Sequence, residues 1–407
     1  MNASAVRILA GLVLGLAAGV VVGRLAAAEA ILAVAGSVGK LWLDALTMTV
    51  VPLVFSLLVT GIAGAADAAH GQGVTRRALG WFAVLLVGSC LASGAYTALL
   101  MEAWPLPEAA AGLRASTAPP LPPLGSAADW FAGFIPANPI KAASETAMVP
   151  LVVFALFFGF AVTRIAEGSR AALVGFFRAI AETMLVIVGW VLLAAPLGVF
   201  ALALGIGARA GVGAAGVLAQ YIVVVAGSCV MITVLAYLAA WLLGRLAPLR
   251  FARAAFPAQV VALSTQSSLA SLPAMIEAAA RLDVPRASAG IVLPLAVAIF
   301  RAASAAANVA VAVYLAQVHG VALGAGAIVV GSLVGAAVSL GAVGLPAQVS
   351  FFATIGPVCL ALGVPVELLP LLLAVETIPD LFRTVGNVTA DLAVTRIASP
   401  ADDDGGD

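Results

Sequence analysis

Residues 376–391 read ETIPDLFRTVGNVTAD and lie near the end of a very apolar chain. At roughly 100° per residue, a helix here places its polar residues within an arc of about 100°: Glu376, Asp380, Arg383, Thr384, Asn387 and Asp391. Polar side chains inside a membrane usually face a bundle interior or a water-filled cavity. A helix face with both signs of charge, an amide and a hydroxyl can bind a zwitterionic or dicarboxylic molecule.

The composition of the chain is that of a polytopic membrane protein. Of its 407 residues, 63% are hydrophobic and 9% are charged, whereas about a quarter of the residues are charged in a soluble domain. Lysine plus arginine and aspartate plus glutamate number 19 each, so no basic excess indicates a nucleic-acid partner. The sequence has no HExxH or G-x-S-x-G motif, and its three cysteines lie far apart from one another. It therefore predicts neither an enzyme nor a cysteine-based metal site or disulfide framework.

Apolar windows of about 20 residues, long enough for a membrane helix, occupy the first part of the chain: 6–27, 41–64, 79–101, 147–166, 180–206 and 217–244. From 255 to 397 the apolar stretches are instead interrupted by Ser, Gly and Pro, at Ser264–Pro273 and Ser339–Pro346. Paired interruptions of this kind are typical of secondary transporters with inverted repeats, in which half-helices offer free N–H groups to an anion. The alternative is a pair of kinked helices whose serine hydroxyls bond to their own backbone.

Basic residues cluster in the connections that the predicted spans place on one side of the membrane, shared with the N-terminus: Arg76, Arg77, Arg164, Arg170, Arg178, Arg245, Arg250, Arg253, Arg281 and Arg286. Because basic loops stay in the cytoplasm, both termini are predicted to be cytoplasmic, in a cell inner membrane. The tail at 398–407 contains three consecutive aspartates from Asp402 onwards and is predicted to be a short disordered end.

Several motifs of the chain resemble those of the dicarboxylate/amino acid:cation symporter family, the glutamate transporter homologues. They are spread over nearly the whole sequence and are specific as a set: Thr47–Phe55, Asn138-Pro139 with Met148–Phe154, Trp190 with Ala195–Phe200, Ser267–Pro273, Gly341–Pro346, and Arg383-Thr384 with Asn387–Thr389 and Asp391. The resemblance implies an all-α membrane protein with eight transmembrane helices and two re-entrant helical hairpins, built from inverted repeats.

The resemblance also implies a homotrimer in the lipid membrane, whose subunits move substrate by an elevator mechanism. Residues 1–78 would form scaffold helices one and two, and residues 105–210 an extracellular loop with scaffold helices four and five. Residues 79–104 (helix three) and 211–397 (helix six, both hairpins, helices seven and eight) would form the moving transport domain. No cofactor is implied beyond a coupling ion, sodium or a proton.

The substrate site of the family maps onto residues 376–391 and onto the two hairpin tips. Arg383 matches the arginine that binds a substrate side-chain carboxylate bidentately, and Asp380 matches the aspartate that binds the ammonium group. Asn387 matches the residue that binds the α-carboxylate, with Thr384 as a flanking contact. The tips supply the remaining predicted contacts: Ser267 and Ser268 from the first, and backbone groups of Val343 and Gly344 from the second.

The seventh helix departs from the family pattern. The Asn-Met-Asp-Gly-Thr signature that builds sodium sites is replaced by Phe300–Ser304, which has lost two side-chain oxygens and gained Arg301. Hard cations need oxygen ligands, so the sodium site that depends on the lost aspartate is predicted to be absent, although Asp391 matches another sodium ligand. The sequence leaves open whether this helix is still unwound.

Three roles are open for Arg301, a fixed charge deep in an apolar run. It can replace a coupling sodium, form a structural ion pair, or contact an anionic substrate directly. Asp391 and Glu376 are its predicted partners and also the candidate proton carriers, since a carboxyl group can gain and lose a proton. The predicted coupling-ion group is therefore Arg301, Ser304, Glu376, Asn387 and Asp391.

The sequence therefore predicts a secondary active transporter, a symporter for acidic amino acids such as L-aspartate or L-glutamate. Asp380 favours an amino acid, because a C4-dicarboxylate has no ammonium group to bind. A symporter for a C4-dicarboxylate or another carboxylate and a sodium-independent carrier remain alternatives. So do a channel-like anion pathway and a non-transporting receptor on the same scaffold.

Overall fold

The computed structural model describes residues 3–25, 28–69, 73–107, 110, 135–210, 213–341 and 347–399. These residues form α-helices and their connections, with no β-strand among them, in agreement with the predicted all-α class. The helices are numbered in chain order: α1 Ala3–Val22, α2 Ala28–Thr47, α3 Val50–Ala69, α4 Gly73–Ala103, α5 Pro139–Ser144, α6 Met148–Val162, α7 Glu167–Leu193, α8 Ala195–Ala210, α9 Ala214–Leu242, α10 Pro248–Thr265, α11 Leu272–Arg281, α12 Arg286–Ile299, α13 Ala302–His319, α14 Ala325–Gly341, α15 Ala347–Ala361, α16 Leu369–Leu373 and α17 Thr377–Ala398.

Five helical stretches within the described ranges are long and apolar enough to cross a membrane: Ala28–Gly64, Gly73–Ala103, Glu167–Leu193, Ala214–Leu242 and Arg286–His319. Two of the spans predicted from apolar windows are each divided into two helices. α2 and α3 meet at Met48 and Thr49, where the Thr49 hydroxyl donates to the Leu46 carbonyl at 2.7 Å. α7 and α8 meet at Ala194, because Pro196 has no N–H with which to continue the helical ladder.

The N-terminal helix α1 packs along α8 through a stripe of glycines. Gly11, Gly15 and Gly19 recur at every fourth residue, and a Cβ atom at any of them would overlap the α8 backbone. Small residues at this spacing let two membrane helices approach closely. α2 is tied to the adjoining α7 by the Trp42 indole N–H, which donates to Val191 O at 2.9 Å.

Helix α13 lies at the centre of a second group of helices, and its residues from Ala302 to Ala316 are all buried. The Ser93 hydroxyl of α4 lies 2.7 Å from Ser228 Oγ of α9 and donates to Ala306 O of α13 at 2.6 Å. Helix α17, which carries the polar stripe, packs against α9, α10 and α13. These contacts place the stripe inside the protein, whereas the division into a scaffold and a transport domain stays a prediction.

The first predicted interruption separates two helices. α10 ends at Thr265 and α11 begins at Leu272, with Gln266 in the left-handed region at φ 52°. The hydroxyls of Ser264 and Thr265 both donate to carbonyls of their own helix at 2.8 Å, as the alternative of backbone-bonded hydroxyls requires. The second interruption includes 342–346, which lie outside the described residues, so the two-hairpin topology stays a prediction.

Candidate functional site

The polar stripe lies on the buried side of α17. Glu376 immediately precedes the first turn of this helix, and Asp380, Arg383, Asn387 and Asp391 follow within it. The exposed fraction is 6% or less at Glu376, Arg383, Asn387 and Asp391, and the side chain of Asp380 is 13% exposed. Charged groups are therefore enclosed among apolar helices and have to be compensated by one another.

Arg383 is the centre of a cluster with two carboxylates of its own helix region. Its Nη2 donates to Glu376 Oε1, and its Nη1 lies 3.8 Å from Asp380 Oδ1. Its Nε is buried and has no hydrogen-bond partner among the described residues. A guanidinium offers five N–H donors, so Arg383 binds Glu376 and retains donor capacity for a ligand.

The second oxygen of Glu376 is bound by a residue from α9. The hydroxyl of the fully buried Tyr221 donates to Glu376 Oε2. The Tyr221 ring packs edge-on against Tyr314 with centroids 5.7 Å apart, and the Tyr314 hydroxyl donates to Val217 O at 2.7 Å. Tyr221 thus holds the Glu376 carboxylate beside Arg383, and Tyr314 packs against the Tyr221 ring. No motif of the sequence points to Tyr221, which follows Gln220 in an otherwise apolar run.

Asn387 caps the start of a different helix. Its Oδ1 accepts hydrogen bonds from Ala303 N at 3.0 Å and Ser304 N at 3.1 Å, and its Nδ2 donates to Ser304 Oγ at 2.8 Å. The first N–H groups of a helix have no intrahelical partner, and those of α13 are satisfied here from α17. The seventh-helix stretch is therefore still interrupted, with Phe300 and Arg301 outside any helix.

Arg301 occupies this break, directly before α13. The charges of Asp380 and Asp391 both act on it. The two carboxylate oxygens of Asp391 are buried and accept no hydrogen bond from the described residues, and Arg301 is the charged group that acts on Asp391. Of the two partners predicted for Arg301, Asp391 interacts with it electrostatically, whereas Glu376 is bound by Arg383 and Tyr221.

Gly386 lets α17 lie directly against α13. A Cβ atom at this position would come 2.7 Å from Ala303 Cβ and 3.3 Å from Cys229 O. Because both Gly386 and Ala303 are small, the neighbouring Asn387 can reach the first N–H groups of α13.

The other predicted site residues are bound within their own segments or lie outside the described ranges. The Thr384 hydroxyl donates to Asp380 O at 2.9 Å, and Ser267 Oγ accepts from Ala270 N at 3.2 Å. Ser268 is half-buried at the same tip, and the described residues include no group of three or more His, Cys, Asp or Glu that could hold a metal ion. The predicted backbone contacts fall outside the described residues: Val343 and Gly344.

A second set of hydrogen bonds between helices is also not predicted by the sequence. Gln259 Nε2 of α10 donates to Thr389 Oγ1 of α17 at 2.9 Å and to the Tyr237 hydroxyl of α9 at 3.2 Å. The helix that leads to the serine-rich tip is thereby bound to the helix that carries the polar stripe.

Comparison with known proteins decides the family. A model of the sodium:dicarboxylate symporter family matches residues 5–400. The chain belongs to this family. The resemblance inferred from the motifs is thereby confirmed, and with its apolar helices this symporter-family chain is a membrane transport protein.

The relatives of this symporter-family chain span most of its length. The proton/glutamate-aspartate symporter of Escherichia coli (strain K12) is 28% identical over 381 residues, which cover 88% of this chain and 84% of the relative. The proton/sodium-glutamate symport protein of Bacillus caldotenax is 26% identical over 380 residues, covering 89% and 86%. The neutral amino acid transporter A of Homo sapiens is 27% identical over 408 residues, covering 87% and 73%.

Proposed function

We propose that this family member is a symporter for acidic amino acids such as L-aspartate and L-glutamate. The observation that carries the proposal is the juxtaposition of Arg383 and Asp380, opposite charges 3.8 Å apart on the buried face of α17. A guanidinium matches a side-chain carboxylate bidentately, and a carboxylate matches an ammonium group. The relative in Escherichia coli is named a proton/glutamate-aspartate symporter, which supports the same substrate class.

In this proposal, three polar groups of α17 each bind a defined part of the substrate. Arg383 binds the side-chain carboxylate and Asp380 the ammonium group. Asn387 gives its second Nδ2 proton to the α-carboxylate while its Oδ1 keeps α13 capped. Further contacts come from the same helix and from the two tips: Thr384, Ser267, Ser268, Val343 and Gly344.

The proposed coupling ion is a proton. The permanent positive charge of Arg301 acts on Asp391, the residue that the resemblance makes a sodium ligand. Ser304 Oγ already accepts a hydrogen bond from Asn387. Glu376 and Asp391 are the proposed proton carriers. An elevator movement of residues 79–104 and 211–397 in a homotrimer, with both termini in the cytoplasm, belongs to the same proposal.

Uptake of labelled L-aspartate into liposomes tests substrate and coupling together. The wild type is expected to accumulate aspartate without sodium when an inward proton gradient is imposed. Arg301→Met removes the fixed charge and is expected to abolish most of this sodium-free uptake. Arg209→Met, at an exposed arginine of α8, is the matched control and should behave as the wild type. Strict sodium dependence of the wild type would contradict the replacement of sodium by Arg301.

A C4-dicarboxylate such as succinate is the second candidate substrate. It is favoured by the charges of both Arg383 and Arg301 on Asp380, because a carboxylate compensated in this way needs no ammonium group from the substrate. Asp380→Asn separates the two candidates. The acidic amino acid proposal expects this variant to lose aspartate uptake, whereas succinate uptake that persists in it would favour the dicarboxylate.

A further inference from the structure

Glu376 accepts a hydrogen bond from Arg383 Nη2, one of the donors with which this guanidinium would bind a substrate carboxylate bidentately. One of its oxygens accepts a hydrogen bond from Arg383 Nη2 and the other from the Tyr221 hydroxyl. The residue is 6% exposed, so this carboxylate is bound by protein groups at both oxygens. The chain therefore carries its own ligand for the arginine that the proposed function assigns to the substrate.

The titratable and charged groups that face Glu376 come from two helices. α9 contributes Tyr221 and the thiol of Cys229, and α17 contributes Arg383 and Asp380. Arg301 acts on Arg383 and Asp380 from the break before α13. One guanidinium, Arg383, thus already faces two carboxylates before any substrate is bound.

The charge that a substrate brings depends on its side chain. A neutral amino acid supplies an ammonium group for Asp380 and leaves the pair of Glu376 and Arg383 intact. An acidic amino acid brings one more carboxylate to Arg383, and like charges in a buried site cannot all stay ionised without a large cost. A single proton on Glu376 removes the excess charge and releases Arg383.

We propose that Glu376 is a built-in competitor for Arg383 that sets the range of substrates. With Glu376 ionised the site binds neutral amino acids, and with Glu376 protonated it binds acidic ones. The inference rests on the proposed function, since it uses the same site and the same arginine. The proton comes from water when an acidic substrate binds and returns to water when that substrate leaves, so it accompanies acidic substrates alone.

Calorimetric titration of the purified full chain with L-aspartate and L-serine, from pH 5 to pH 8, tests the inference. Once Glu376 is mostly ionised, the wild-type dissociation constant for aspartate is expected to rise about tenfold per pH unit, because apparent affinity falls with the competent fraction. The dissociation constant for serine should stay constant. Glu376→Gln keeps the shape and removes the charge, so aspartate should bind it equally at every pH, and at least about tenfold tighter than the wild type at pH 8.

A second variant leaves Glu376 itself unchanged. Tyr221→Phe removes the phenol that stabilises the ionised carboxylate, so the rise in the aspartate dissociation constant should begin at a higher pH than in the wild type. Tyr314→Phe is the matched control, because its hydroxyl bonds to Val217 O rather than to Glu376. The control should have the wild-type pH profile.

Three outcomes would overturn the inference: a wild-type aspartate affinity that is constant with pH, a Glu376→Gln profile equal to that of the wild type, or no binding of L-serine at pH 8. Absence of aspartate binding to wild type and variant at every pH would overturn the proposed function as well. That outcome is distinct from a pH profile that Glu376→Gln fails to change.

Discussion

At the level of single residues, the charges of the site form two linked groups. Glu376, Asp380 and Arg383 make up one group, and Arg301 acts on Asp391 in the other. Each charge inside a membrane protein needs a compensating partner. Removing one member of a pair should therefore cost more stability than removing both.

Arg301 and Asp391 are expected to be coupled in stability. Arg301→Met leaves Asp391 without the positive charge that acts on it, and Asp391→Asn removes one of the two carboxylates whose charges act on Arg301, the other being Asp380. Each single change is expected to cost up to about 3–5 kcal/mol in the free energy of unfolding, and the double variant should recover most of that loss. Unfolding in detergent measures this cycle.

The control cycle uses an ion pair at the surface. Lys40 and Asp44 lie 2.6 Å apart with side chains that are 73% and 56% exposed, and exposed pairs contribute little. Lys40→Met and Asp44→Asn should be nearly additive and nearly neutral. Equal additivity in both cycles would contradict a buried interaction between Arg301 and Asp391.

At the level of helices, the break before α13 depends on contacts between distant parts of the chain. The spacing of polar residues in 376–391 predicts α17 and its buried face, because helical periodicity is local. The cap that Asn387 places on α13 crosses 83 and 84 residues, and the bond from Tyr221 to Glu376 crosses 155. Local pattern thus predicts which side chains face inward, whereas tertiary packing decides what each of them binds.

Gly386→Ala is expected to disturb the contact between α13 and α17. The added Cβ would lie 2.7 Å from Ala303 Cβ, so the helices have to shift and Asn387 is drawn away from the N–H groups that it caps. Overpacking of this kind costs about 1–3 kcal/mol, which thermal unfolding measures, and aspartate uptake should fall with it.

Gly290→Ala in α12 is the control for this substitution. A Cβ atom at Gly290 meets nothing within 4 Å, and alanine is favoured over glycine inside a helix by about 0.5–1 kcal/mol. The control should therefore be as stable as the wild type or more so. A Gly386→Ala chain with wild-type stability would contradict the close approach of the two helices.

At the level of the whole molecule, composition and motifs predict the membrane class and the family. The assembly of subunits depends instead on contacts between chains. Helix α7 exposes large apolar side chains, including Trp190 at 67% and Leu193 at 82%. Such a face contacts either lipid or another copy of the chain. The resemblance assigns the scaffold of helices one, two, four and five to the contact between subunits, and Trp190 belongs to the motif that resembles helix five.

If the protein is a homotrimer, its protein mass in detergent should be three times that of one chain. Light scattering after size-exclusion chromatography measures this mass. Trp190→Ala should shift the protein towards single chains, because truncation of a large aromatic residue in an interface loses binding energy. Trp241→Ala is the matched control, since this tryptophan is 50% exposed on α9, outside the proposed contact. A wild type of single-chain mass, or an equal loss of trimer in both variants, would mean that α7 faces lipid rather than a neighbouring subunit.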